Sequence, residues 1–314
     1  MEAEARFRAM GSDVHVIVVG GSLELLETAR DLVEDLEARW SRFRPTSEVS
    51  RLNLLAGMPV RVSPLTLELV RRALEGAWLT GGRFDATVLG AMLRAGYDRS
   101  FEFLGEEEPI TGSSLELGGD RIVVDVASST VMIPDGVGFD PGGIGKGFAA
   151  DVLVRELLSQ GAAGVCANVG GDLRVEGDPP HGEAWTVAIE HPIRPDVTQL
   201  VGLRSGAVAT SSRMRRTWGP REDRRHHLID PSTGMSARTG LASATVIAAE
   251  GWQAEVVAKA AFIAGAWEGM YVLASTGTEG VLVDDAGRAY PSAGFHQFAS
   301  EGDLPSRSQA RTAS

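Results

Sequence analysis

Between Arg121 and Val283 the chain is cut into short apolar runs by glycine turns, and this punctuation restricts its fold more than any other feature. Arg121–Val126, Val131–Ile133, Gly164–Val169 and Trp185–Ile189 read as strands, followed by Leu200–Leu203, Ala207–Thr210, Ala242–Ala248 and Gly280–Val283. A helix over Lys146–Gln160 is inserted among them, and a long helical stretch runs from about Gln253 to Ala274 with a break at Gly265. Helices mixed irregularly with hairpin-like strands predict an α+β fold, with mixed or antiparallel sheets and flanking helices, rather than a doubly wound sheet.

The first third has the same grammar. Val14–Val19 is a β-branched run ending at Gly20-Gly21, and the helix after it takes Ser22 as N-cap. Its buried face is read from Leu25, Ala29, Leu32, Leu36 and Trp40. A second helix has Ser63 as N-cap, Pro64 at its first position, an apolar stripe of Leu67, Val70, Leu74, Ala77 and Trp78, and a stop at Gly81-Gly82. A chain of 314 residues has room for two lobes or one large body. We expect one domain over 1–299 and a polar tail over 300–314 with too little apolar surface to offset ordering entropy.

Composition removes whole classes of function. With 30 Lys and Arg against 42 Asp and Glu, the formal charge of −12 disfavours nucleic acid as a partner. The single cysteine, Cys166, has no intramolecular partner and sits in a strand-like run, so it reads as a small core hydrophobe. The opening Met1–Arg6 has no secretory h-region and no apolar run reaches about 18 residues, so no membrane insertion and a cytoplasmic location are expected.

Four stretches carry potential chemistry. Asp140-Pro141-Gly142-Gly143-Ile144-Gly145-Lys146-Gly147 precedes a helix, whose amino terminus suits an anion. A Walker A loop is excluded because Asp140 and Gly147 occupy its Gly and Ser/Thr positions, and a GxGxxG reading ends on Phe148; a glycine turn with a solvated lysine is the plainer alternative. His226-His227 precedes Asp230-Pro231-Ser232-Thr233-Gly234, setting an imidazole beside a carboxylate for acid/base work or simply completing a strand edge. Gly170-Gly171-Asp172 suits a bulge, a close ligand approach or a plain turn. Phe84-Asp85-Ala86-Thr87 reads first as a cap for the next helix. Six arginines between Arg213 and Arg225 either steer an anion or solubilise a loop.

In this order, these stretches resemble the FAD:protein FMN transferases, the ApbE-like family. The resemblance is carried by Ala9-Met10-Gly11-Ser12, Ser47-Glu48-Val49-Ser50-Arg51-Leu52-Asn53, Phe84–Thr87, Gly142–Gly147, Asn168–Asp172 and His227–Gly234. It implies an α+β fold that holds FAD in a cleft between two lobes, and transfer of the FMN phosphoryl unit of FAD to a threonine hydroxyl of an acceptor protein, with AMP leaving. It also implies FAD contacts from Met10, Ser50, Asn53, Asp85, Gly143, Lys146, Gly171 and Asp172, with His227 and Lys146 carrying the catalysis. Positive charge at the phosphates and a base for the threonine proton are what such a reaction requires.

One departure stands out. Relatives bind Mg²⁺ through a helix Asp, a Thr four residues later and a loop carbonyl; the corresponding positions here are Glu255, Lys259 and Gly145. Either Glu255 and Lys259 form an exposed helical ion pair with the metal held elsewhere or not required, or Lys259 takes the place of magnesium. Two other functions remain open: an FAD pyrophosphatase that releases FMN and AMP, and a non-catalytic FAD-binding protein.

Overall fold

The computed structural model describes residues 2–104, 113–214, 216–220 and 224–299; the expected tail over 300–314 lies outside them. Eight strands form one antiparallel sheet: β1 (Glu2–Ala9), β2 (Ser12–Val19), β3 (Gly164–Val169), β4 (Asp172–Gly177), β5 (Gly206–Ser212), β6 (Leu241–Ala248), β7 (Glu279–Asp284) and β8 (Ala289–Pro291). Each pairs with the next, so their order across the sheet is their order along the chain.

Two hairpins fix the end of the sheet that matters for function. β1 turns into β2 at Met10-Gly11, with Ala9 opposite Ser12, and β3 into β4 at Gly170-Gly171, with Val169 opposite Asp172. Both central residues have positive φ in each turn: 53° and 62° in the first, 65° and 101° in the second. That is what a two-residue hairpin loop demands, and it makes Gly170-Gly171 a tight turn rather than a bulge. The two turns lie side by side, since the Gly170 amide donates to the Asp13 carbonyl at 2.9 Å.

Alternation along the strands separates two cores. Val14, Val16, Val18, Val165, Ala167 and Val169 face the helices α1 (Glu24–Trp40) and α5 (Gly145–Ser159). Cys166, Val175, Val208, Ile247 and Val283 face away, under a hairpin of Trp185–Glu190 and Thr198–Leu203. Burial pushes the Cys166 thiol up to about 12, as expected for an inert core cysteine. Helix α6 (Gly251–Ser275) covers β6 and β7 through Val257, Ala258, Ala261 and Phe262. Its length and hydropathy would suit a membrane span, yet most of its apolar face is buried in this core. Gly265 breaks it as expected, with φ 82° and ψ 178°.

Helices α2 (Glu48–Leu54), α3 (Pro64–Leu79) and α4 (Leu89–Arg94) complete the layer. Ser63 caps α3 by accepting from the Thr66 amide. Three expectations need correction. Ser22 does not cap α1, which starts after Leu23 without a side-chain cap, and Val33 joins its buried stripe. Trp78 is 82% exposed because the buried face of α3 ends at Ala73 and Gly76. Only Val123–Asp125 of Arg121–Val126 is strand, since Gly119–Arg121 forms a 3-10 turn.

Candidate active site

A cleft opens where the Met10-Gly11 turn meets the head of α5. Met10, Asp85, Gly143, Gly145, Lys146 and His227 all line it, together with Arg42, Tyr97, Arg216 and Lys259. The glycine loop and the histidine turn therefore converge on one space, which is the arrangement the sequence expectation needs.

Each wall has a local cause. Met10 adopts its left-handed conformation at a cost that a glycine would not bear, and its amide is held by the Glu37 carboxylate at 2.9 Å. Asp140 closes the glycine loop by accepting from the Gly142 amide at 2.8 Å, while its other oxygen takes Arg42 Nε at 3.1 Å. Arg42 also donates to the Tyr97 carbonyl and stacks on the Phe43 and Tyr97 rings at 4.2 and 4.8 Å. At Gly143 a Cβ would come within 2.8 Å of the Phe84 ring and 3.3 Å of the Lys259 stem, so no larger residue fits.

Four residues expected at the ligand do not line the cleft. Asn53 exchanges hydrogen bonds with the Phe139 backbone at 2.7 and 2.9 Å, tying α2 to the segment leading into Asp140. The Ser50 hydroxyl donates to the Arg42 carbonyl at 3.4 Å. Gly171 belongs to the hairpin turn, its amide donating to the Asn168 side chain at 2.9 Å. Asp172 is buried against the Lys146 ammonium, and this burial raises its carboxyl pKa despite the lysine charge. Asp85 lines the cleft but does not cap α4; it accepts from the Thr87 amide and hydroxyl at 2.7 and 2.6 Å.

Lys146 is held from two sides, by Asp172 and by Glu255 Oε1 at 3.2 Å; those carboxylates outweigh desolvation and raise its pKa, so it stays charged. Glu255 is 1% exposed. Its Oε1 also takes Lys259 at 3.0 Å, and its Oε2 accepts the Gly147 amide at 2.8 Å. Burial raises its carboxyl, but the two lysines and that amide overcome it and hold it at about 2.

The two adjacent histidines have separate fates. His226 is satisfied, bonding the Ala237 carbonyl at 2.9 Å through Nε2 and meeting Phe262 edge-on. His227 has Nδ1 buried with no hydrogen-bond partner, the single such side-chain atom among the described residues. Burial first, then Arg216, Lys259, His226 and Lys146, depress its pKa well below 6.5, leaving a neutral imidazole that can accept a proton. The expected pairing with Asp230 is absent, because that carboxylate closes its own turn onto the Ser232 amide and hydroxyl at 2.9 and 2.7 Å.

Sequence reasoning missed Arg42 and Tyr97, which carry no motif and reach the cleft only through tertiary packing. It singled out the arginine run without choosing among its members. Arg216 is the one placed in the cleft wall, bonding Ser12 Oγ at 3.1 Å; Arg213 instead pairs with Asp285, and Arg215 and Arg221 lie outside the described residues.

The ApbE protein of Thermotoga maritima MSB8 shares the architecture with a TM-score of 0.86 at 27% identity, over 96% of this chain and 100% of that one. The flavin transferase ApbE of Vibrio cholerae does so with a TM-score of 0.80 at 25% identity, over 95% and 99%. The fold is thus that of the flavin-transferase class. The ApbE family profile matches residues 10–282, and the chain belongs to that family. Among named relatives, the FAD:protein FMN transferase of Vibrio cholerae O395 is 29% identical over 292 residues, covering 88% of this chain and 85% of its own. That of Treponema pallidum (strain Nichols) is 31% identical over 258 residues, covering 76% and 71%.

The divalent cation implied by the family resemblance does not fit the residues at this position. Both Glu255 oxygens are occupied, two ammoniums lie within 3.2 Å of one of them, and no cluster of three His, Cys, Asp or Glu side chains suits a metal among the described residues. The Glu255–Lys259 pair expected on an exposed helix face does form, but buried, with Lys259 only 14% exposed.

Proposed function

We propose that this chain is an FAD:protein FMN transferase that moves the FMN phosphoryl unit of FAD onto a threonine hydroxyl of an acceptor protein. The observation that carries the reading is the place of His227, a neutral base with a buried and unpaired Nδ1, in the wall of a cleft that also holds Lys146, Arg216 and Lys259. The threonine oxygen attacks the FMN phosphorus and the bond to the AMP phosphate breaks. His227 takes the hydroxyl proton, while the ammonium and guanidinium groups stabilise the negative charge that develops on AMP. Gly143, without a side chain, lets the dinucleotide lie close to the loop, and Met10 and Asp85 complete its bed. Ser50, Asn53, Gly171 and Asp172 act through others, fixing the Arg42 backbone, the Asp140 loop and Lys146. We place the reaction in the cytoplasm, with an acceptor protein and FAD as partners and neither nucleic acid nor membrane insertion involved; cell fractionation tests the location.

The purified protein, incubated with FAD and a threonine-containing acceptor peptide, is expected to yield a peptide carrying one FMN, read by mass spectrometry. Free FMN without adduct would indicate a pyrophosphatase instead, and bound but unchanged FAD a binding protein. His227→Ala is expected to bind FAD normally and to lose about 10²–10⁴-fold in transfer rate; full-rate transfer by this variant would remove the role assigned to the imidazole.

A further inference from the structure

Lys259 lies in the cleft wall while its carboxylate partner does not. Glu255, almost wholly buried on the same helix one turn earlier, holds the Lys259 ammonium at 3.0 Å, and the lysine stem packs on the bare Gly143 backbone. The head is thus fixed in position beside the glycine loop. Lys146, paired on its other side with Asp172, approaches the same Glu255 oxygen at 3.2 Å, so that oxygen faces two ammoniums, and Arg216 adds a third positive group to the wall. A dication placed here would meet that repulsion and find no free oxygen on Glu255, whereas a dianionic pyrophosphate would find the charge already in place and already desolvated.

We propose that Lys259, anchored by Glu255, supplies at the bridging phosphates the positive charge that a divalent cation would otherwise bring, so that this chain transfers its flavin without magnesium. The proposal rests on the flavin-transfer reading above. A fixed ammonium needs no metal to be recruited with each substrate, and Lys146 and Arg216 lie along the same wall to share the charge of the leaving AMP.

The test uses the purified full chain stripped with EDTA, with FAD binding followed by flavin fluorescence and adduct formation on a threonine peptide followed by mass spectrometry. The native protein is expected to form adduct in EDTA at the rate seen with added magnesium. Lys259→Gln, which keeps a donor for Glu255 but removes the charge, is expected to bind FAD and to lose about a hundredfold in kcat. A native rate that collapses in EDTA and returns with magnesium overturns the proposal while leaving flavin transfer intact, and so does a Lys259→Gln protein that keeps the native rate in EDTA. Failure of the native protein to bind FAD, or to form adduct with or without magnesium, overturns the flavin-transfer reading and this inference with it.

Discussion

At the scale of single residues, His226 and His227 show how little a residue type says without its partners. One fills both ring nitrogens with backbone contacts; the other lines a cationic cleft and keeps its buried Nδ1 unpaired. Because the His227 pKa is depressed below 6.5, its neutral form persists as pH falls past that value, and the rate is expected to hold through pH 6.5 and fail only in more acid solution. A pH–rate profile checks this; an acid limb centred at or above 6.5 would contradict it. Gly143→Ala pushes a methyl against Lys259 and the buried Phe84 ring, and is expected to weaken FAD binding by about tenfold and to lower the melting temperature, since Phe84 belongs to the core. Lys146 and His227 were legible in the sequence because glycine turns and an Asp-Pro turn flag them. Arg42 was not: it follows a helix end without any signal and owes its place to Asp140, almost a hundred residues on.

The crossing of α5 and α6 governs the next scale. Each helix closes the amino terminus of the other. Asp151 on α5 accepts the Gly251 and Trp252 amides at 2.6 and 2.9 Å, and Glu255 on α6 accepts the Gly147 amide at 2.8 Å. The approach needs glycine on both sides, since a Cβ on Gly147 would lie 2.2 Å from the Gly251 carbonyl oxygen and one on Gly251 2.4 Å from that of Gly147. Gly147→Ala is therefore expected to cost about 1–3 kcal/mol in urea unfolding, because backbone rather than a pliable side chain must move. Burial outweighs the two amides and pushes the Asp151 carboxyl up to about 7 from 3.8. The folded state thus holds a proton that the unfolded state has released between those values, and stability attributable to this group falls as pH rises from about 4 to about 7. Asp151→Asn is expected to flatten that slope. Helix existence was readable here from periodicity and from the Gly265 break, but the reciprocal capping was not, since Asp151 and Glu255 look like ordinary helix acids until the two helices are laid together.

For the molecule as a whole, an acidic chain of net charge −12 places five of its 30 Lys and Arg side chains, Arg42, Arg83, Lys146, Arg216 and Lys259, around one cleft. Those charges are mostly covered, with Arg42, Lys146 and Lys259 exposed by 8%, 16% and 14%, so salt screens them weakly. FAD affinity is expected to fall by less than about tenfold between low salt and roughly 0.5 M sodium chloride in a fluorescence titration; a steeper loss would mean the ligand sits on the outer surface. Alternating hydrophobicity and glycine turns announced most strands of the sheet. The Glu2–Ala9 strand escaped, because its charged and small residues alternate on an edge with half-covered faces and offer no β-branched run. The sheet's simple order also has a consequence for biosynthesis. A ribosome delivers each strand beside the one just made, so the scaffold is able to grow as the polypeptide emerges. Lys259 and its anchor arrive only after β6, which means that a nascent chain has most of its framework, and already Arg42, Lys146 and Arg216, before the last cation of the cleft wall joins them.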